Sequence, residues 1–318
     1  MGLMGWGRRR RGVSVLSLAG VLAGVVACGG QPVAEPVFSE GASASPVLTV
    51  EAAEAALEIL PELREAWRET DCDKVESLTG WAEGELGATV CKAVRNGRRG
   101  VNLPSYSDIE VFLPAEDEDG AWFTALARKP DPAYFVFAYE SGTWRLALGP
   151  IPLLGKVPEP DSVPTAAADM IVKARLVPQQ YLTYLTDPAG VSGVAFPSGD
   201  PVRTVLAELL RTPRRVRPDR ISVDVRLAVD SARALLLDDG GALVFHAITL
   251  VFTQKPGSGR RAIRHPRYAT ADVRAFTGKS KPGSLTGSEI VFLITRVSAA
   301  GKMSTIGLRR ELAHITAG

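Results

Sequence analysis

The side chains able to do chemistry in this chain are few. There are three histidines and three cysteines among 318 residues. His246 lies inside a strand pattern and His314 near the end, positions that suit a structural imidazole; His265 lies in a basic loop. No Gly-x-Ser-x-Gly elbow, Ser-x-x-Lys pair, His-Glu-x-x-His helix or phosphate-cradling glycine loop is present. Glu116-Asp117-Glu118-Asp119-Gly120 imitates a calcium loop. Placing Gly120 as the turn glycine, however, puts Ala115 at the first ligand position and Leu126 at the last, so it reads as a solvated turn. No cofactor or metal is expected. What remains is arginine: Arg211, Arg214, Arg215, Arg217 and Arg220 in one run, and Lys255, Arg260, Arg261, Arg264, His265 and Arg267 in another.

The N-terminus sets the compartment in which these groups work. Arg8, Arg9, Arg10 and Arg11 precede an uncharged, mostly apolar run over residues 12–27. That run is shorter than the roughly 20 residues a spanning helix needs, and it ends in small residues, as a signal sequence does. It closes on Val25-Val26-Ala27-Cys28-Gly29-Gly30, which resembles the lipobox of bacterial lipoproteins. The resemblance implies cleavage before Cys28, a diacylglyceryl thioether on its sulfur, and anchoring to the outer face of the cell membrane. Two acyl chains meet the two-signal requirement for stable anchoring, at about 0.8 kcal/mol per buried methylene. In an extracytoplasmic compartment disulfides persist, so the remaining pair, Cys72 and Cys91, is expected to bond. Two buried thiols, or a metal site far from any histidine, are the alternatives.

These groups need positioning elements. Residues 28–47 are Gly, Pro, Ala, Ser and Glu with few large apolar groups and read as a flexible tether, able to reach roughly 60 Å at about 3.3 Å per residue. Thr49 suits an N-cap, and Val50, Ala53, Leu57, Leu60 and Trp67 recur at helical spacing, with Pro61 predicting a break near Ile59. Strands follow: Ile109, Val111 and Leu113 alternate, and residues 122–127, 134–139 and 144–148 continue the sheet. Five prolines within residues 149–164 place a domain boundary there, with 156–164 as the linker. Beyond it the plan repeats: a helix over 166–185, a shorter one over 201–210, then strands over 221–229, 242–253, 269–276, 289–297 and 303–315. Asp119-Gly120-Ala121-Trp122 is echoed, with one insertion, at Gly240-Gly241-Ala242-Leu243. The expected class is therefore α+β: two tandem domains, 48–155 and 165–318, each a helix-plus-curved-antiparallel-sheet unit behind the signal peptide (1–27) and tether.

The Trp144-Arg145 strand, the proline-rich connector and the Asp-Gly-Gly-Ala-Leu-Val-Phe run at 239–245 resemble a group of two-domain actinobacterial lipoproteins of unknown function. Each half is similar to the nuclear-transport-factor-2-like or cystatin-like fold. That type hosts isomerases, ligand carriers and pure interaction modules, so the resemblance implies architecture and leaves function to the site.

Charge carries the functional expectation. Residues 28–163 hold 23 acids and 11 bases, a net −12, whereas residues 164–318 hold 12 acids and 22 bases, a net +10, so a near-neutral chain contains a strong dipole. One reading is that the halves attract each other. The other is that the loop carrying Arg260, Arg261, Arg264 and Arg267 meets anionic lipid head groups, anionic wall polymer or another envelope protein. Nucleic acid is not an expected partner, because no aromatics interleave with the basic residues. The expected function is a non-enzymatic binding or scaffolding module at the envelope. The alternatives are a carrier of a small apolar ligand in a sheet-lined cup, and a hydrolase or isomerase on the same fold.

Overall fold

The computed structural model describes residues 48–114, 120–156, 158, 160, 168–228, 232–263 and 266–318. The signal sequence, Cys28, the tether, the acidic turn at 115–119, most of the 156–164 linker, Arg264 and His265 lie outside the described residues.

The first unit begins as its sequence dictates. The Thr49 hydroxyl accepts from the Ala52 N–H and caps α1 (Val50–Ala56). The chain breaks at Leu57 and Glu58 and restarts as α2 (Ile59–Glu69), which places Pro61 in a first turn, where a missing N–H costs little. Two helices that the sequence reading left unassigned follow, α3 (Cys72–Leu78), capped by the Asp71 carboxylate, and α4 (Trp81–Arg95). A disulfide joins them, Cys72 to Cys91, with Cα atoms 5.5 Å apart. Then comes an antiparallel meander in the order β1-β2-β3-β4: β1 (Ser107–Phe112), β2 (Trp122–Lys129), β3 (Ala133–Glu140) and β4 (Thr143–Pro152).

The second unit repeats the plan. Its helices are α5 (Ala168–Arg175), α6 (Val177–Thr186) and α7 (Pro201–Arg215). The single helix expected over 166–185 is interrupted at Leu176, ahead of Pro178 in the first turn of α6. The strands are β5 (Arg220–Leu227), β6 (Arg233–Leu236), β7 (Ala242–Lys255), β8 (Leu285–Val297) and β9 (Met303–Ala317). β5 and β6 both pair with β7, along different stretches of it, so they share one place in the order β5/β6-β7-β8-β9. The sheet is thus a four-place meander like the first. The echoed Gly motif opens the second strand of each meander, with Gly120 at φ +93° and Gly240 at φ +75°, turns that favour glycine. Ladder irregularities at Tyr134/Val136 and Ser288/Glu289 locally increase strand twist and bend.

A strand expectation also fails. Residues 269–276, read as a strand, form a helix, α8 (Thr270–Thr277), closed by Gly278 in the left-handed conformation with its N–H on the Arg274 carbonyl. Val273 and Phe276, three apart, turn one face toward Tyr268, Leu285 and Ile315. In so short a segment this helical spacing and a strand alternation involve nearly the same residues, and the glycine cap settles the choice.

Most buried side chains of the central strands of the second sheet go to one of two cores. Leu243, Phe245, Ala247, Ile290, Phe292 and Ile294 join the cluster built from the first sheet and α1 to α4, while Val244, Ile248, Val291 and Leu293 pack with Tyr181, Val205 and Leu209 of α6 and α7. The central strands β7 and β8 are therefore buried on both faces, which is why they read as largely apolar runs. β2, β3 and β4 also bury consecutive residues. At the seam, Tyr134 meets Phe245 edge-on at 5.4 Å and the Leu154 N–H donates to the Ile306 carbonyl at 2.7 Å.

Candidate functional site

The two arginine runs of the sequence meet at α7. This helix starts from Asp200, buried, whose carboxylate accepts from the Val202 N–H at 3.0 Å and the Thr305 N–H at 2.8 Å. Val202, Val205, Leu209 and Thr212 turn inward. The opposite side carries Arg203, Arg211 and Arg215, all exposed. Between α7 and the Pro266-Arg267 segment runs an open groove of about 740 Å³, lined by Arg203, Ala207, Glu208, Arg211, Arg215 and Arg267 among others.

The groove is held in shape by a charge network. Glu208 accepts from Arg267 Nη2 at 2.7 Å and from Arg310 Nη1 at 2.7 Å. Arg267 Nε also donates to Glu289 at 3.0 Å, and Arg310 closes the ring onto the other Glu289 oxygen. The Arg267 guanidinium lies 3.6 Å from the centroid of Phe252, within cation–π range. Burial works against ionisation of Glu208, but the bonds from Arg310 and Arg267 outweigh it and hold the carboxyl below its ordinary range. Two acids and two bases balance, so the network is a fixed wall rather than a source of net charge.

This dismembers the loop expected to contact anions. Arg267 is turned inward and committed to Glu208 and Glu289. Arg260 is half-buried and sits 3.8 Å from the buried Asp219 carboxylate, which also accepts from the Gly257 N–H. Arg261 is exposed, and Arg264 lies outside the described residues. A denser run of exposed positive charge lies on α7, the turn after it and the start of β5, where Arg211, Arg214, Arg215, Arg217 and Arg220 are exposed and form no ion pair among the described residues. Glu208 and Arg310 escaped the sequence reading. A lone glutamate in an arginine-rich helix was the available signal for the first.

The charge asymmetry between the halves has only a local expression at the seam. Arg309 of β9 pairs with the buried Glu83 of α4, donates to the Gly149 carbonyl at 3.1 Å and lies over Phe292, while the Gly149 N–H donates to the same Glu83. Gly149 is at φ +127°, and a Cβ there would stand 2.9 Å from the Tyr134 carbonyl oxygen, so this crossing needs glycine. Arg98 and Asp272 form a second pair across the seam at 3.6 Å.

A separate buried polar chain runs through the second core. Tyr181 Oη lies 2.6 Å from Thr305 Oγ1 and accepts from Thr295 Oγ1 at 2.8 Å, and His246 Nε2 is 3.1 Å from Thr295 Oγ1. His246 is 2% exposed and its Nδ1 has no partner among the described residues. Burial pushes its imidazole down to about 3 and raises the Tyr181 hydroxyl, so both stay neutral and serve as internal hydrogen-bonding groups. His314 is exposed, edge-on to Phe276. Among the described residues no group of three or more His, Cys, Asp and Glu side chains is placed to hold a metal ion, and no helix is long and apolar enough to cross a membrane. Comparison of the chain with protein-family models, curated proteins and solved structures yields no match, so the α7 groove is interpreted from its own chemistry.

Proposed function

We propose that the chain is an exported lipoprotein, anchored through Cys28 to the outer face of the cell membrane, whose folded part is a non-enzymatic module that binds an anionic envelope component along α7. The observation that carries this reading is the run of exposed arginines on one helix, Arg203, Arg211, Arg214 and Arg215, beside an open groove and without an ion pair among the described residues. Long-range attraction toward such a face raises encounter rates with anions and weakens with salt. The ligand-cup alternative finds less support. Strands β7 and β8 of the second sheet and β2 and β3 of the first are buried along consecutive residues, so their apolar side chains are already packed against protein.

The test is retention of the full-length protein, in neutral detergent, on a phosphate-bearing resin. Arg203→Gln/Arg211→Gln/Arg215→Gln should elute at clearly lower salt than wild type, whereas removing a similar charge elsewhere, by Arg274→Gln/Lys279→Gln/Lys281→Gln, should change elution little. Equal loss in the two triple variants would show that net charge alone, and no site on α7, governs the binding.

A further inference from the structure

The geometry of the groove narrows the ligand, and this step rests on the reading just proposed. Arg203, Ala207, Arg211 and Arg215 are four residues apart in turn, so they form one stripe along α7 with a rise of about 6 Å per step. The stripe extends roughly 18 Å from Arg203 to Arg215. Ala207 leaves room between the first two arginines where a longer side chain would fill the channel. On the far side stand Pro266 and the Arg267 wall.

The acids in the groove do not oppose an anion. Asp200 is buried with its oxygens on the Val202 and Thr305 N–H groups, and Glu208 is neutralised by Arg267 and Arg310. Arg203 is partly oriented by its bond to the Phe196 carbonyl at 3.2 Å, while Arg211 and Arg215 have no partner among the described residues. A row of three cations inside a concavity, Arg203 about 12 Å along the helix from Arg211 and Arg211 about 6 Å from Arg215, is therefore left to a ligand. A flat array of lipid head groups cannot enter a channel beside a helix; a single extended chain can. Guanidinium forks favour oxyanions, which they bind in pairs of hydrogen bonds.

We infer that the groove is a subsite for a linear oxyanion polymer laid along α7, its charges facing Arg203, Arg211 and Arg215 at rises of about 12 Å and about 6 Å, as in a polyol phosphodiester whose phosphates are separated by a short polyol. The experiment uses the full-length protein in neutral detergent and four probes: inorganic phosphate, glycerol phosphate, a length series of poly(glycerol phosphate), and phosphatidylglycerol vesicles. Affinity for the polymer should climb steeply with length and level off once the chain spans roughly 18 Å. Arg215→Gln should bring the plateau to a shorter length, and Arg211→Gln/Arg215→Gln should weaken the long polymer about tenfold, with melting temperature unchanged because both residues are exposed. If inorganic phosphate or the vesicles bind as tightly per phosphate as the polymer, and lose binding in the same variants, the linear-polymer inference is overturned while anion binding on α7 stands. If none of the four probes binds at low salt, both fall.

Discussion

Mild acid should destabilise this protein through one buried imidazole. His246 is 2% exposed, its Nε2 is spent on Thr295, its Nδ1 has no partner among the described residues, and its ring lies edge-on to Tyr181. Burial lowers its pKa from 6.5 to about 3. An unfolded chain presents an ordinary histidine, so between these two values the unfolded state takes up a proton that the folded state refuses. Stability from this group is complete above the unfolded value and falls as the pH drops through 6.5 toward 3, with a limiting slope of about 1.4 kcal/mol per pH unit. From pH 7.5 to pH 5 the loss amounts to about 2 kcal/mol. The assay is urea unfolding of wild type and His246→Gln at several pH values in that range, above the region where most carboxylates titrate. Gln can keep a bond to Thr295 and does not titrate. The difference in unfolding free energy between the two proteins should shrink by about 2 kcal/mol toward pH 5 as wild type loses its advantage. Parallel curves would refute the argument, because they would mean that His246 is as easily protonated in the fold as out of it.

Other outcomes follow from single contacts. Cys28→Ala should release the protein from membranes, and a variant that stays bound through a high-salt wash would defeat the lipid-anchor proposal. Cys72→Ser should cost about 3 kcal/mol, since the disulfide closes residues 19 apart, and the native protein should show no alkylatable thiol at Cys72 or Cys91 before reduction. Arg267→Gln should destabilise by about 1–3 kcal/mol through the partners it leaves in Glu208 and Glu289, whereas Arg261→Gln should stay within about 0.5 kcal/mol; thermal melts separate them. Gly287→Ala should cost about 1–3 kcal/mol, because a Cβ there would stand 2.1 Å from the Tyr268 ring, and a melting temperature equal to wild type would show that the ring moves freely.

Much of the architecture was legible in the residues because it depends on local physics. The Thr49 cap, the interruption before Pro61, the alternation at 221–227 and the glycine turn at 240 all report backbone preferences within a few residues, and each is found in place. The largely apolar runs of β3 and β7 are legible as strands, but nothing in them says what covers their buried residues. What covers them is the other half of the chain and a second set of helices, a pairing of surfaces far apart in sequence. The site shows the same division. A count of arginines locates positive charge in the second half, but cannot separate Arg267 from Arg261. Arg267 turns inward because Glu208, 59 residues away, and Glu289, 22 residues away, wait for it on other elements, while Arg261 meets no such partner among the described residues. Side-chain type sets what a residue can do; whether its charge is spent inside the fold or left for a ligand is settled by partners that only the folded chain brings within hydrogen-bonding distance.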